Sequence, residues 1–155
     1  RISQFSTYSN VGSWVHGCIS VDTTGTSTMY INGSLNTSSI SVPQATSISN
    51  PVIGSFNGAS LFLNGYVDDF AIFNSALDQT AVTALYGAAP TAGIPSEVTG
   101  AIGYWRMGDD SNDSATSGGS IATITDSSGN GNDATQSTAS AQPTFSDLTG
   151  ETIYV

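Results

Sequence analysis

A pair of carboxylates has the clearest chemical potential in this chain of 155 residues. Asp68 and Asp69 stand side by side in the apolar run LFLNGYVDDFAIF. Glycoside hydrolysis needs two carboxyl groups about 5–10 Å apart across a cleft. Consecutive residues of a strand point to opposite faces, so a strand through this pair cannot place both groups in one cleft. Only two glutamates occur, Glu97 and Glu151, and we therefore expect no catalytic residues and a protein that is not an enzyme.

Oxygen-bearing side chains also crowd the segment 126–133, which reads DSSGNGND and predicts a turn. Carboxylate, amide and hydroxyl oxygens of this kind are the ligands that hard cations prefer. The segment is not an EF-hand, because it lacks the D-x-[DN]-x-[DN]-G spacing and the terminal glutamate of that motif.

His16 and Cys18 lie two positions apart, which would put both side chains on one face of a strand. Such a spacing would allow a Cys–His nucleophile pair. No further residue suggests a triad, and a second histidine for a metal site is absent from the sequence. We interpret His16 as a packed strand residue and Cys18 as a small buried side chain. A single cysteine also forbids an internal disulfide.

Three aromatic side chains, Tyr30, Tyr66 and Trp105, could stack on the apolar face of a sugar ring. Each lies in a strand-like pattern, where packing in the core is the commoner role. The sequence does not decide between the two, so the carbohydrate-binding residues stay unknown at this level.

Charge limits the partners of the chain. Twelve acidic residues against two arginines, Arg1 and Arg106, give a net charge of −10, and lysine is absent. Phosphate backbones and anionic membranes both require clustered Lys and Arg, so we expect no nucleic-acid and no membrane partner. The 25 serines, 19 threonines and 17 glycines are typical of β-rich extracellular or virion-surface proteins.

The pattern of the first half predicts strands and one helix. Residues 15–21 alternate as a strand, and residues 28–31 run into Asn32-Gly33, the strongest short signal for a hairpin. The run 61–73 is apolar on both faces, which favours a two-sheet sandwich. Residues 78–86 carry a helical stripe, with Asp78 as N-cap and Gly87 as the residue after the helix.

A Pro- and Gly-rich linker, 88–100, separates this half from a second segment, 101–155. Residues 101–107 are strand-like, but the segment has few large apolar residues. It cannot form a core of its own, so we expect it to pack on the first half or on another chain.

Ordered motifs across positions 14–86 resemble the closing part of a laminin G-like domain of the concanavalin A-like lectin/glucanase jelly rolls. They are Trp14-Val15-His16, Tyr30-Ile31-Asn32-Gly33, Ile53-Gly54, the run 64–77 with its two aspartates, and Leu85-Tyr86. Tyr104–Asp109 and the turn 126–132 are similar to the opening of such a domain, and also to segments of marine phage structural proteins.

The resemblance implies an all-β fold, an antiparallel β-sandwich of the concanavalin A-like jelly-roll type, with one short helix near 78–86. Residues 1–87 would be the C-terminal half of one laminin G-like domain, and residues 101–155 the opening of a further unit. Strands between the two motifs are missing, which leaves open sheet edges that invite pairing with another chain. A homo-oligomer is therefore expected.

The resemblance also implies a structural Ca²⁺. Glucanase relatives bind the ion through an aspartate at the position of Asp68, and Asp126 and Asn130 would complete the site here. The structural alternative is that Asp68 accepts hydrogen bonds from turn amides and that Asp126 starts an Asx turn. The E-x-D-x-E strand of the catalytic relatives is absent.

The function that these features favour is a non-enzymatic structural or adhesion module on a virion surface or outside a cell. Its partners would be other virion or cell-surface subunits, with glycans as ligands. The alternative is a fragment of a secreted polysaccharide hydrolase or of its carbohydrate-binding module.

Overall fold

The computed structural model describes residues 12–41, 51–55, 63–88, 92–113 and 116–146. Parts of the predicted domains lie outside the described residues, among them 1–11 and 147–155. The same holds for residues 89–91 of the predicted linker. The described chain forms short antiparallel strands and one α-helix, which confirms the predicted fold class.

Three antiparallel strands form the first sheet: β1 (Gly17–Val21), β2 (Thr26–Ile31) and β3 (Ser34–Ser41). Asn32 and Gly33 join β2 to β3, and both have positive φ, 48° and 72°. A type I′ turn requires this at both central positions, so the predicted hairpin is confirmed. Gly33 has a second constraint, because a Cβ there would lie 2.7 Å from Cδ1 of Tyr86.

Helix α1 (Gln79–Gly87) begins as the sequence predicted. The Asp78 carboxylate accepts the backbone N–H of Ala81 at 2.8 Å, an N-cap bond. The helix end differs from the prediction by one residue, since Gly87 is helical and Ala88 is the C-cap. Within the helix, the Val82 side chain is fully buried. The Gln79 side-chain amide donates a hydrogen bond to the Gly33 carbonyl at 2.6 Å.

A second sheet pairs β4 (Phe70–Phe73) with β5 (Ala101–Trp105) in antiparallel register, with Ala71 opposite Tyr104. The predicted strand 61–73 is therefore too long, because residues 63–69 have no strand pairing. Asp69 has a φ of 46°, which breaks the alternation of side chains immediately before β4. The expectation that Asp68 and Asp69 point to opposite faces of one strand is wrong for this reason.

The last described segment adds two two-residue strands, β6 (Thr123–Ile124) and β7 (Ala134–Thr135), and a 3₁₀ turn at Ala139–Ala141. Backbone bonds between residues 118–121 and 143–145 close the loop that holds them. Ile121 is the buried apolar side chain of this region.

The chain divides into two compact units that do not follow its order. The first contains β1–β3 and residues 74–100 with α1, and it buries Tyr30, Ile31, Val82 and Val98. The second combines β4 with β5–β7 and buries Tyr104, Trp105 and Ile121. The predicted boundaries at 87 and 100 stay a prediction. In the described residues, no helix has both the length and the apolar character to cross a membrane.

Candidate functional site

The turn after β6 covers the outer edge of β5 with side chains. Asp126 is buried, with 6% of its surface exposed, and its carboxylate accepts the backbone N–H groups of Tyr104, Ser128 and Asn132, each at 2.9 Å. The bond from Ser128 is an Asx turn, the structural alternative considered for this aspartate. Asp126 thus satisfies donors of its own turn and of β5 at once.

Two asparagines of the same turn donate to carbonyl groups at the start of β5. Asn132 donates to the Ile102 carbonyl at 2.8 Å, and Asn130 donates to that of Ala101 at 3.4 Å and to the Ser128 hydroxyl at 3.0 Å. Together with the Ser127 backbone N–H, which donates to the Tyr104 carbonyl at 2.7 Å, these side chains replace a neighbouring strand along this edge. An edge with its polar groups satisfied in this way is protected from pairing with another chain.

The Asp126 carboxylate is strongly biased to its ionised form. Its burial acts to raise the pKa, but hydrogen bonds from Ser128 and from the Tyr104 and Asn132 amides outweigh this and lower the pKa to about 2. A carboxylate that accepts several backbone N–H groups is stabilised as the anion. The turn consequently carries a fixed negative charge at any pH above about 4.

A second acidic group lies where the chain enters β4, and we call Asp68, Asp69, Tyr104, Arg106 and Asp109 the acidic cluster. The Tyr104 hydroxyl donates to the Asp69 carboxylate at 2.5 Å, which joins the positive-φ residue before β4 to the penultimate residue of β5. Asp68 accepts the N–H of Asp69 at 3.0 Å, the turn-amide bond considered for this residue.

The electrostatics of the acidic cluster favour bound protons. Desolvation by neighbouring protein atoms, together with the negative charges of Asp69 and Asp109, raises the pKa of Asp68 to about 6. Desolvation also raises the pKa of Asp69, although the Tyr104 hydroxyl and Arg106 oppose it. The cluster thus contains a carboxyl group that titrates close to neutral pH.

The three predicted calcium ligands have different environments. Asp126 and Asn130 belong to one turn, where the first accepts amide protons and the second donates its own. Asp68 belongs to the acidic cluster, where a cation would relieve the repulsion from Asp69 and Asp109. Across the described ranges, no group of three His, Cys, Asp or Glu is placed to hold a metal ion. Calcium binding stays a prediction.

His16 lies immediately before β1 and Cys18 lies within it, and both side chains are half-buried. The interpretation of His16 as a strand residue is therefore wrong by one position. The His16 ring lies 5.7 Å from that of Tyr86, and its Nδ1 is a buried atom without a hydrogen bond in the described structure. Burial lowers the pKa of His16 and raises that of the Cys18 thiol. Desolvation opposes the imidazolium–thiolate form that a Cys–His nucleophile pair uses.

The three aromatic candidates for sugar stacking differ in their exposure to solvent. Tyr30 and Trp105 are 7% and 6% exposed, so their rings belong to the core. Trp105 packs on Gly103, donates from Nε1 to the Asn132 carbonyl, and lies 5.8 Å from the Phe70 ring. Tyr66 is 64% exposed and lies two residues before Asp68.

Three members of the acidic cluster were not singled out as functional residues from the sequence: Tyr104, Arg106 and Asp109. A signal existed for two of them, because Tyr104 and Arg106 flank the apolar Trp105 and alternate residues of a strand share a face. Nothing in the sequence showed that β5 would pair with β4 and bring this face to Asp69.

A family model described as the concanavalin A-like lectin/glucanases superfamily, in its laminin G form, matches residues 3–83. The match covers slightly more than half of the chain and includes Asp68 and Asp69. No curated protein and no solved structure matches the chain.

Proposed function

Because the chain belongs to the concanavalin A-like lectin/glucanases superfamily, we propose that it is a non-enzymatic surface module of a phage virion, such as a fibre, decoration or adhesin element, that contributes assembly contacts and binds glycans. Its abundance of Ser and Thr and its lack of Lys support a virion-surface or extracellular setting. The superfamily membership supports carbohydrate binding or a structural role.

The observation that carries glycan binding is the exposure of Tyr66 beside the acidic cluster. Sugar rings present C–H groups on one face, which stack on an exposed aromatic ring, and hydroxyl groups at the rim, which donate to carboxylates. Tyr66 is 64% exposed, and Asp68 and Asp69, which follow it, are exposed acceptors. These three residues form the glycan patch.

The charge of the surroundings selects the class of sugar. Asp68, Asp69 and Asp109 face a single cation, Arg106, in the interactions that set the pKa of Asp68. Negative charge in excess repels sialylated, uronic or sulfated glycans and tolerates neutral or amino sugars. The proposed ligand is therefore a neutral or amino-sugar glycan.

A glycan array followed by calorimetry tests this assignment. We expect Tyr66→Ala to weaken binding of the best neutral glycan by about ten-fold, as for the loss of a stacking ring worth about 1.4 kcal/mol. Tyr66→Phe keeps the ring and should keep most of the affinity. The matched control is Leu35→Ala, which removes an apolar side chain that is 56% exposed in the other compact unit. A folded protein that binds no glycan would refute the proposed patch.

A second candidate, the polysaccharide hydrolase fragment, gains support from one observation. Asp68, with its pKa raised to about 6, adjoins the carboxyl group of Asp69, and two neighbouring carboxyl groups of which one has a raised pKa are the acid–base pattern of glycosidases. Release of reducing ends from neutral polysaccharides, abolished by Asp68→Asn, would favour this candidate over the module. Glycan binding without any release would favour the module.

The proposal includes a homo-oligomer or assembly with other virion or cell-surface subunits. β5 has its outer edge covered by the turn 126–132, whereas no described strand pairs with the outer edge of β4. An edge with which no described strand pairs is a candidate for pairing with a strand from another chain. Light scattering tests this, since a monomer at high concentration contradicts pairing in trans.

A further inference from the structure

An asparagine followed by glycine contains the reactants of an intramolecular reaction. The glycine nitrogen attacks Cγ of the asparagine side chain, the Cγ–Nδ2 bond breaks, and ammonia leaves with formation of a succinimide ring. Water then opens the ring at either carbonyl, giving aspartate or isoaspartate. Glycine favours the attack because it has no side chain to obstruct it. The chain has four such pairs, of which 57–58 lies outside the described residues.

The pair Asn32-Gly33 is locked against this reaction by the hairpin. Asn32 has a φ of 48°, and its Oδ1 accepts the backbone N–H of His16 at 3.0 Å. Gly33 is buried, and a ring atom of Tyr86 lies 2.7 Å from the position that a Cβ would take. The side chain must break its bond and the turn must open before nitrogen and Cγ can meet.

The pair Asn130-Gly131 is exposed but restrained. The leaving group of the reaction, Nδ2 of Asn130, donates to the Ser128 hydroxyl at 3.0 Å and to the Ala101 carbonyl at 3.4 Å. The Asn130 N–H also lies 3.4 Å from the Ser128 hydroxyl. These bonds hold the side chain against β5, so attack again requires a prior opening step.

The pair Asn64-Gly65 has neither restraint. Both residues are exposed and lie outside the helices and strands. Within the described chain the Asn64 side chain makes no hydrogen bond. The nearest side-chain atom to a Cβ at Gly65 is Cδ1 of Leu63, at an ordinary 3.8 Å. We propose that Asn64-Gly65 is a spontaneous modification site, at which the folded protein converts to aspartate or isoaspartate ahead of the other described pairs.

The position of this site gives the modification a consequence that rests on the proposed function. Conversion adds a carboxylate two residues before Tyr66, and isoaspartate also inserts a methylene group into the backbone. The added charge leaves neutral sugars unrepelled, but the longer backbone of isoaspartate is expected to move the Tyr66 ring relative to Asp68. Aged protein that contains isoaspartate is therefore expected to lose affinity for neutral glycans.

Peptide mapping by mass spectrometry tests the site itself. The full chain is incubated folded in mildly alkaline buffer, and isoaspartate is confirmed with an isoaspartyl methyltransferase as probe. We expect conversion at Asn64 to exceed that at Asn32 and Asn130 by about ten-fold, the factor that one or two hydrogen bonds impose on an opening step. In concentrated urea the three rates should become similar. Equal rates in the folded chain, or faster conversion at either restrained pair, would overturn the proposal.

A matched variant separates this proposal from the proposed function. Asn64→Gln keeps the amide but reacts far more slowly, because its longer side chain must close a six-membered ring. Aged wild type should lose glycan binding, whereas aged Asn64→Gln should keep it. A wild type that never binds glycans refutes the glycan patch, while the mapping still decides whether Asn64 is the modified residue.

Discussion

Replacement of Asp126 by asparagine tests the claim that one buried carboxylate holds the turn 126–132 against β5. The asparagine side chain would be isosteric, but it lacks the charge, and its amide nitrogen would present a donor to the N–H of Asn132. The pKa of Asp126 is lowered from 3.8 to about 2, a difference worth about 2 kcal/mol of folding free energy at neutral pH. Loss of one hydrogen bond adds about 1 kcal/mol. We expect Asp126→Asn to lower the free energy of unfolding by about 3 kcal/mol.

Urea unfolding at pH 7 measures this loss. With a denaturant slope of about 1–3 kcal/mol per molar, the midpoint should fall by about 1–3 M. The control is Asp22→Asn, since Asp22 accepts the N–H groups of Thr24 and Thr26 in an exposed turn. Solvent competes for those bonds, so the control should shift the midpoint much less.

The pH dependence of the stability difference between wild type and Asp126→Asn can refute the claim that the ionised carboxylate holds the turn. A carboxylate with a depressed pKa stabilises the fold above its unfolded pKa, and the stabilisation disappears as the pH falls from about 4 through about 2. The difference between wild type and Asp126→Asn should therefore shrink to about 1 kcal/mol near pH 2, the part due to the lost hydrogen bond. Equal midpoints at pH 7, or a difference that persists undiminished at pH 2, would show that the ionised carboxylate does not hold the turn.

The acidic cluster, the hairpin and the predicted ion each support one further prediction. Because the pKa of Asp68 is raised to about 6 in the folded protein, its protonation stabilises the fold at low pH, and this stabilisation is lost as the pH rises through about 6. Asp68→Asn should therefore raise the melting temperature at pH 7 and flatten the decline of the melting temperature between pH 4 and 7. An unchanged decline would contradict the pKa of about 6. Gly33→Ala should destabilise more than Gly118→Ala, because both positions have positive φ but only the first meets the Tyr86 ring; equal losses in thermal unfolding would argue against that contact. If calcium binds, EDTA should lower the melting temperature and Asp68→Ala should abolish the effect, whereas an insensitive melt removes the predicted ion.

Local signals account for the parts of the fold that could be predicted. Asn32-Gly33 specifies a turn that needs positive φ at both positions, and Asp78 supplies an N-cap acceptor wherever a helix follows it. Each signal involves residues within a few positions of one another. The hairpin and the start of α1 were therefore predictable without knowledge of the rest of the chain.

The candidate site was predictable only in part. Asp68, Asp126 and Asn130 were identified as residues with chemical potential, but their partners were not, because Tyr104 reaches Asp69 across 35 positions of sequence. The aromatic residues show the same division. Tyr30, Tyr66 and Trp105 occupy similar strand-like patterns, and only their burial in the folded chain separates the exposed ring from the two core rings.

The sequence by itself determined the acidic, lysine-free surface, the antiparallel β class, the hairpin and the helix, because composition and short-range backbone preferences set these features. Only the tertiary structure decided that β4 pairs with β5, that Asp69 leaves the strand, and that the turn 126–132 covers the edge of β5. These features depend on which distant segments meet. Their hydrogen bonds and desolvation exist only after the chain has closed the loops between them.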